Sequence, residues 1–398
     1  MVSIVADNRD VERCLEKILA EARSGGAEFA PSLVLRCVGG DLSVESAPES
    51  TEQVLIRLPE ETLVPVGLFG LQLQGDDIVI ASIDPAVSAK GRTLCESMLE
   101  LYNLTGKIGW YRRTSPPLFL RSRPELAQLI ARSLEEPRRR SFTTPMRDGE
   151  ENHIVLQRFL GSRWFGFSDD TGAAPTRVLM PIVDLMNHHE HGSPFENAGI
   201  EGGRFLRIQR AKKMPREERE CFVRYGPYDA MEMLLAYNFV DESASFVRSI
   251  PMEITLPGVG MLAIRAMKKK GGKRNVPTAF RDIAPYLPRI ISKQPNYLEI
   301  ASLIIPTRVT PQAFRRVLNL LIATLNPGCA DRLDLIVQAE EKIVDANKAH
   351  YEALKTGLHD VSTDTAGDAE ILRGLTRACD VQLEHLRHYN EMARRLAA

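Results

Sequence analysis

The residue types best suited to chemistry stand in two short motifs within residues 178–242. The first motif, NHH at Asn187–His189, follows the apolar run LMPIVDLM, and the second, YGP at Tyr225–Pro227, follows ECFVR. An asparagine amide offers hydrogen-bond donors and acceptors, an imidazole can bind a metal, and a phenol can orient a ligand through a hydrogen bond. Taken alone, each motif is also typical of a polar turn beside a buried strand.

A zinc site is one interpretation of the first motif, because histidine is a common zinc ligand. Adjacent histidines such as His188 and His189 point in different directions from most backbones, however. Neither an HExxH motif nor an HxH pair with a distant carboxylate completes a ligand set. The cysteines form no CxxC pair, so the sequence predicts reduced thiols and no metal site.

Both helices and strands are predicted between the N-terminus and these motifs. The spacing of Val11, Leu15 and Ile18 predicts one amphipathic helix near the N-terminus. Short runs rich in valine, leucine and isoleucine, separated by glycine, proline and serine, predict strands over residues 33–87. Residues 92–133 return to helical spacing, and a polar loop is expected to follow them.

The motifs themselves lie in a mixed region, because strands, turns and short helices are predicted to alternate over residues 153–254. Beyond the run KKKGGKR at Lys268–Arg274, apolar residues recur at helical spacing almost to the end of the chain. Thr363–Thr365 offers capping side chains before the last predicted helix. At 398 residues the chain is long enough for two or three domains.

In order and spacing, these motifs resemble the SET domain of protein lysine methyltransferases, most closely the group related to the plant Rubisco large-subunit methyltransferase. In that group a P-x-x-D-x-x-N-H segment precedes a strand and then a Y-G-P segment, which leads into E-L-L-x-x-Y-G-F-V. An S-R-x-F segment lies upstream. The matching residues here are Ser162, Arg163, Pro181, Asp184, Asn187, His188, Tyr225, Gly226, Pro227, Glu232, Leu234, Leu235, Tyr237, Phe239 and Val240.

The resemblance implies an α+β fold in which small sheets surround a knot-like crossing, with the tyrosine segment passing under the Asn-His segment. An inserted helical region and an all-α C-terminal domain accompany this SET-type fold. The expected regions are 1–91 for the first helix and strands, 92–162 for the inserted helices, 163–256 for the core, and 257–398 for helices that bind a substrate or partner.

The resemblance also implies a role for each matching side chain. Asn187 and His188 are expected to hold S-adenosylmethionine, and Tyr225 is expected to be the catalytic phenol. The family's G-x-G cofactor loop is expected before SLVLRCV, where this chain has FAPS, so the backbone groups of Ser32 and Leu33 are the cofactor-binding candidates there. The expected substrate-binding side chains are Tyr237, Arg163 and Asp184.

The function implied is methyl transfer to a lysine side chain of a protein substrate, which would bind through the inserted and C-terminal helical regions. The missing G-x-G loop keeps a second hypothesis open, a SET-fold protein that binds partners without catalysis. A third is methylation of a protein histidine.

Charge and hydropathy argue against nucleic-acid-binding, membrane-spanning and secreted classes of protein. Lys plus Arg is 51 and Asp plus Glu is 52, so the sequence predicts no specific nucleic-acid partner. No apolar run reaches a membrane-spanning length and the N-terminus lacks a secretory pattern, which favours a cytoplasmic location. The basic runs at 138–140 and 268–274 are typical of solvated loops, with a nuclear address as the alternative.

Overall fold

The computed structural model describes residues 2–47, 49–134, 139, 142–143, 149–168, 175–200, 203–215, 217–266, 278–330, 332–363 and 365–396. The run at 268–274 lies outside the described residues, as do two of the three arginines at 138–140 and the predicted capping residue Asp364. The chain divides into two compact units. The first unit comprises Met1–Arg113 and Glu150–Pro227, and the second comprises Thr114–Gly149 and Tyr228–Ala398.

The described α-helices, numbered along the chain, are α1 (Arg9–Ser24), α2 (Ala89–Leu104), α3 (Lys107–Arg113), α4 (Pro116–Leu120), α5 (Pro124–Arg132), α6 (Glu151–Gly161), α7 (Ala230–Tyr237), α8 (Pro311–Leu325), α9 (Leu333–His359) and α10 (Ala366–Arg395).

The described strands are β1 (Ser3–Ala6), β2 (Glu28–Phe29), β3 (Leu33–Val38), β4 (Asp41–Ser46), β5 (Val54–Pro59), β6 (Val64–Pro65), β7 (Phe69–Gln74), β8 (Asp77–Ile83), β9 (Phe165–Phe167), β10 (Thr176–Leu179), β11 (His188–Ser193), β12 (Glu196–Ile200), β13 (Gly203–Gln209), β14 (Phe246–Arg248), β15 (Met252–Leu256), β16 (Gly260–Arg265), β17 (Arg289–Gln294), β18 (Tyr297–Ala301) and β19 (Ile304–Pro306).

The first unit contains several small sheets. Their strand orders are β1-β3-β4, β6-β10-β9, β12-β13-β5-β2 and β7-β8. Helix α1 begins at the Asn8 cap, whose side chain accepts a hydrogen bond from the Asp10 N–H, and it ends before Gly25. Its apolar face packs on α2, with Leu15 and Ile18 almost fully buried. The predicted N-terminal helix is therefore confirmed.

A two-residue turn joins β3 to β4 and fixes their register. Val38 pairs with Asp41, so Gly39 and Gly40 form the turn, and both have positive φ angles of 60° and 80°. Two successive positive φ angles define the turn type that matches the twist of a β-hairpin. A side chain at position 40 would also meet the Thr105 carbonyl oxygen at 2.8 Å, so this turn requires glycine at that position.

The second unit packs long helices beside a sheet of order β15-β16-β18-β17. Helix α7 begins with a capping box, in which Asp229 and Glu232 exchange side-chain to backbone hydrogen bonds. Helices α8, α9 and α10 bury large side chains, and the rings of Phe314 and Tyr389 meet edge to face at 5.9 Å. Helices therefore dominate residues 311–395, as the sequence predicted.

The all-α prediction needs correction between residues 257 and 306. Strands β16 to β19 occupy much of this range, which the sequence analysis assigned to a helical domain. Segments such as RIISKQ and YLEIA are short and rich in isoleucine, and their apolar residues suit a helix or a strand equally well. Pairing between β17 and β18 then determines which structure forms.

The unit boundaries also differ from the predicted regions. Helices α2, α3 and α6 belong to the first unit, whereas α4 and α5 belong to the second, so residues 92–162 are shared between the two. The second unit resumes at Tyr228 rather than at residue 257. Spacing alone indicates helices but does not show which core each helix packs against.

Candidate active site

The two motifs meet because residues 187–193 curl around residues 222–224. The Val223 N–H donates to the Asn187 carbonyl at 2.9 Å on one side of this crossing. On the other side, the Ser193 N–H donates to the Phe222 carbonyl at 3.0 Å, and the Arg224 N–H donates to the Ser193 carbonyl at 2.8 Å. Val223 thus forms bridges with both ends of β11. The expected crossing of the two motif segments lies here.

Gly192 makes this close approach possible. A Cβ atom at position 192 would lie 2.7 Å from the Val223 carbonyl carbon and 3.0 Å from the His189 carbonyl oxygen. Both neighbours are backbone atoms inside the crossing, so neither can turn away as a flexible side chain can. The loop 187–193 therefore requires glycine at this position.

Tyr225 lies just after the crossing and contacts the first motif directly. Its N–H donates to His188 Nδ1 at 3.0 Å, and its hydroxyl donates to the Met186 carbonyl at 2.8 Å. The two rings lie 5.2 Å apart at 41°. Nδ1 of His188 is an acceptor in this arrangement, so the imidazole is held in one orientation.

Burial determines the protonation state of the phenol. Desolvation raises the pKa of Tyr225 above its ordinary value, and the nearby Tyr111 and Asp184 add to this, while the positive charge of Arg163 opposes it. The phenol is therefore protonated at neutral pH. It can donate or accept a hydrogen bond, and it is not a base in its resting state.

Asp184 lies beneath the first motif in a buried cluster. The Tyr102 hydroxyl donates to its carboxylate, and Arg163 donates to its backbone carbonyl at 2.7 Å. The guanidinium of Arg163 also covers the rings of Tyr102 and Phe159 at 5.5 and 5.3 Å. Arg163 and Asp184, which the sequence placed near the site, are thus in contact with each other.

This cluster leaves one carboxylate oxygen of Asp184 unsatisfied. Its Oδ1 atom is buried and makes no hydrogen bond within the described part of the chain. Desolvation raises the pKa of Asp184 to about 6, although Arg163 and the Tyr102 hydrogen bond both oppose the shift. Tyr102 is absent from the sequence prediction because its position on α2 is typical of an ordinary core residue.

Ser32 and Leu33 do not lie beside Asn187. The Asn187 side chain donates to Glu220 at 2.7 Å and to the Leu42 carbonyl at 3.4 Å, at the end of β4 next to the glycine turn. Leu33 pairs with Ser46 at the opposite end of this hairpin, about 13 Å along the strand. The cofactor-binding roles of Ser32 and Leu33 therefore stay a prediction, and the structure does not bring these residues into contact with the Asn187 side chain.

Gly39 and Gly40 form the turn next to Leu42, whose carbonyl accepts a hydrogen bond from the Asn187 side chain. The sequence signal for them was a glycine pair between two runs of strand character.

Tyr237, the predicted lysine-channel residue, ends helix α7 in the second unit. Its ring meets that of Tyr228 edge to face at 5.4 Å, and the two hydroxyl oxygens are 3.5 Å apart. The following residue, Asn238, has a φ angle of 63°, a left-handed conformation that asparagine tolerates and that ends the helix.

Within the described part of the chain, the histidine and cysteine side chains do not assemble into a metal site. Among the described residues, no group of three or more His, Cys, Asp or Glu side chains is arranged to hold a metal ion. His189 instead accepts a hydrogen bond from the His191 N–H at 3.0 Å. The described helices also include none with the length and apolar character needed to cross a membrane.

No protein-family model and no curated protein matches this sequence. Among solved structures the chain is similar to SET-domain proteins, the class that its motifs resemble. One is the SET domain of LSMT bound to lysine and AdoHcy, with 11% identity, coverage of 97% of this chain and 92% of that chain, and a TM-score of 0.42. Another is Rubisco LSMT bound to AdoMet, with 12% identity, coverage of 96% and 92%, and a TM-score of 0.41.

Proposed function

We propose that this chain is an S-adenosylmethionine-dependent methyltransferase that modifies a lysine side chain of a protein substrate. The observation that carries the proposal is the contact of Tyr225 with His188 and with the Met186 carbonyl. It joins a protonated phenol to the Asn-His turn through a crossing of two distant segments. These are the residue types, in the same order, that the SET methyltransferase motifs require.

The groups at this turn fit a cofactor that carries a positively charged sulfur. The Met186 carbonyl, the Tyr225 hydroxyl and the Glu220 carboxylate provide oxygen atoms, which interact favourably with a cation. Burial raises the pKa of Glu220, and a bound cation would reduce the cost of keeping this carboxylate ionised. Asn187 and His188 are the proposed cofactor-binding residues.

Methyl transfer requires little from the protein beyond alignment of the reacting groups. Bound S-adenosylmethionine supplies a methyl group on a sulfonium, and the methyl carbon transfers to the amine nitrogen while the sulfur keeps the electron pair of the broken bond. The chain must orient an uncharged lysine amine, whose pKa of about 10.4 in water has to fall on burial. Tyr225 suits the orienting role because its half-buried phenol stays neutral and can hydrogen-bond to an amine.

We propose that the protein substrate docks on the helices within residues 92–162 and on the C-terminal helices, with Tyr237, Arg163 and Asp184 as contact or supporting residues. Lysine is preferred over histidine as the acceptor because the motif residues resemble those of lysine methyltransferases.

Calorimetric titration of the full chain with S-adenosylmethionine tests the proposal first. We expect saturable binding that Asn187→Ala weakens, because this side chain connects the turn to Glu220 and the β3–β4 hairpin. Glu16→Ala, an exposed change on α1, is the matched control and should bind as the wild type does. Absence of binding at millimolar cofactor would refute the enzyme and favour a SET-fold binding module.

The acceptor is then identified with a methyl-labelled cofactor and a cell lysate. Mass spectrometry of the labelled protein should place the methyl group on a lysine. Label on a histidine would replace the lysine assignment, and cofactor binding without any transfer would contradict the catalytic role of the site.

A further inference from the structure

A groove of about 770 Å³ runs along β8 and one face of helix α2, entirely within the first unit. The strand forms one wall over Asp77–Ile83. The helix forms the other wall through residues at helical spacing, which are Arg92, Glu96, Leu99, Glu100, Asn103 and Leu104. This groove is separate from the contacts that join Tyr225 to the Asn-His turn.

The wall formed by β8 is a strand edge. Strand β8 pairs with β7 in a two-stranded sheet, so its other edge faces the groove. At one end of that edge, the Ile78 N–H donates to Asn103 Oδ1 at 2.9 Å, and Asn103 Nδ2 donates to the Ile78 carbonyl at 3.1 Å. The Asn103 side-chain amide therefore makes the two hydrogen bonds that a residue of a neighbouring strand would make with Ile78.

The residue that would continue this pairing is Ile80. In a β-strand, alternate residues direct their N–H and C=O groups to the same edge. The register supports this alternation as far as Ile80, because Ile78 and Ile80 stand opposite Leu73 and Leu71 with Val79 paired between them. The pairing becomes irregular only beyond Ile80, where Ser82 stands opposite Gly70. The backbone groups of Ile80 therefore point toward the groove, beyond the position that Asn103 occupies.

The groove combines apolar surface with excess negative charge. Leu104 is 36% exposed and Ile80 is half-buried. Arg92 forms an ion pair with Glu96 at 2.8 Å, which neutralises both charges. Asp77 and Glu100 form no ion pair with any residue that the structure describes.

We propose that this groove binds an extended, basic polypeptide segment of a partner protein, which adds to the β8 edge at Ile80. Its backbone would pair with Ile80, and its basic side chains would approach Asp77 and Glu100. Strand addition of this kind derives affinity from main-chain hydrogen bonds and specificity from alternate side chains. The charge of the groove selects a basic segment over an acidic one, and the open strand edge selects an extended segment over a helix.

Fluorescence anisotropy with a labelled ten-residue peptide of alternating valine and lysine tests the proposal on the full chain. We expect saturable binding and about tenfold weaker binding to the double variant Asp77→Lys, Glu100→Lys. The matched control changes two exposed carboxylates of α1, Glu12→Lys and Glu16→Lys, and should bind within twofold of the wild type. Equal loss in both double variants would indicate nonspecific charge attraction and overturn the proposal.

Two further peptides separate strand pairing from charge. A peptide N-methylated at every backbone amide keeps its charge but has no N–H group to donate to a strand edge, and a valine and glutamate peptide keeps its backbone but reverses the charge. Both should bind at least tenfold more weakly than the parent peptide. Undiminished binding of the N-methylated peptide would contradict strand addition.

Hydrogen exchange locates the bound peptide without reliance on any variant. The Ile80 amide should exchange more slowly when the valine and lysine peptide is present, while the Ile78 amide, already bonded to Asn103, should change little. No peptide binding, or protection confined to residues outside the groove, would overturn the proposal. Neither measurement depends on methyl transfer, so the result stands apart from the proposed function.

Discussion

Two buried aspartates, one in each unit, show how similar burial can serve different ends. Burial raises the pKa of both Asp184 and Asp229 to about 6. Asp229 accepts hydrogen bonds from the Glu232 and Arg248 N–H groups, one on each carboxylate oxygen. Asp184 keeps one oxygen without a partner in the described part of the chain.

The groups that surround the two aspartates differ as well. Arg248 donates from its side chain to Glu232 at 2.9 Å, so the second unit contains a satisfied network of buried charges. The first unit surrounds Asp184 with aromatic rings, one guanidinium and the Asn-His turn. A satisfied network stabilises a fold, whereas a cluster that carries an unsatisfied atom beside a turn is typical of a functional site.

The largest effect is expected from removing the charge partner in the second unit. Arg248→Ala leaves the buried Glu232 carboxylate without its guanidinium and should lower the free energy of unfolding by about 3–5 kcal/mol. Chemical denaturation measures this change. Arg332→Ala breaks an exposed pair with Asp334 that solvent screens, so it should lower the free energy of unfolding far less. Similar losses in the two variants would contradict the structural role of the network.

A smaller loss is expected when the crossing in the first unit is disturbed. Gly192→Ala pushes a Cβ atom against the Val223 carbonyl and should destabilise the chain by about 2–3 kcal/mol. Gly161→Ala is the control, because a Cβ atom there meets no neighbour within 4 Å. Thermal unfolding and S-adenosylmethionine binding should both be impaired only by the change at 192. An unaltered Gly192→Ala variant would show that the loop does not enclose residues 222–224.

The free energy of unfolding should depend on pH through Asp184. Because the folded pKa of Asp184 is raised to about 6, the folded state binds more protons than the unfolded state between roughly pH 4 and 6, and stability falls as pH rises through that window. Asp184→Asn removes this dependence, which amounts to at most about 3 kcal/mol from a shift of roughly two pKa units.

Unfolding free energies measured from pH 4 to 8 test this sign. The Asp184→Asn variant should lose less stability than the wild type over that range. A matched Asp229→Asn variant should also flatten the profile, but it should cost stability at every pH because it weakens the hydrogen bonds to the Glu232 and Arg248 N–H groups. A steeper profile for Asp184→Asn would contradict the raised pKa.

Some parts of this account were predictable from sequence and others were not. Residue types at fixed spacing placed Asn187, His188 and Tyr225 in two motifs that the structure brings together, and a regular apolar face predicted α1. The contact of Asn187 with the Leu42 carbonyl was not predicted, because strand pairing decides which end of a hairpin meets the Asn-His turn. Tyr102 was missed because its partner, Asp184, is 82 residues away in the chain.

The strands between residues 260 and 306 illustrate the same limit. Their sequences contain short apolar runs without a clear helical or alternating period, so local pattern does not decide between the two structures. Long helices such as α9 and α10 were predicted correctly because their apolar spacing persists over many turns.

Methyl transfer by a Tyr225→Phe variant tests the central claim most directly. Phenylalanine keeps the ring beside His188 and removes only the hydroxyl that bonds the Met186 carbonyl. Transfer of labelled methyl groups to the protein substrate should fall about 100-fold, while thermal unfolding and cofactor binding stay near the wild-type values. Tyr297→Phe, which removes a hydroxyl bonded to Arg265 in the second unit, should keep full activity. Equal transfer rates for the wild type and Tyr225→Phe would contradict the role of this phenol in the proposed reaction.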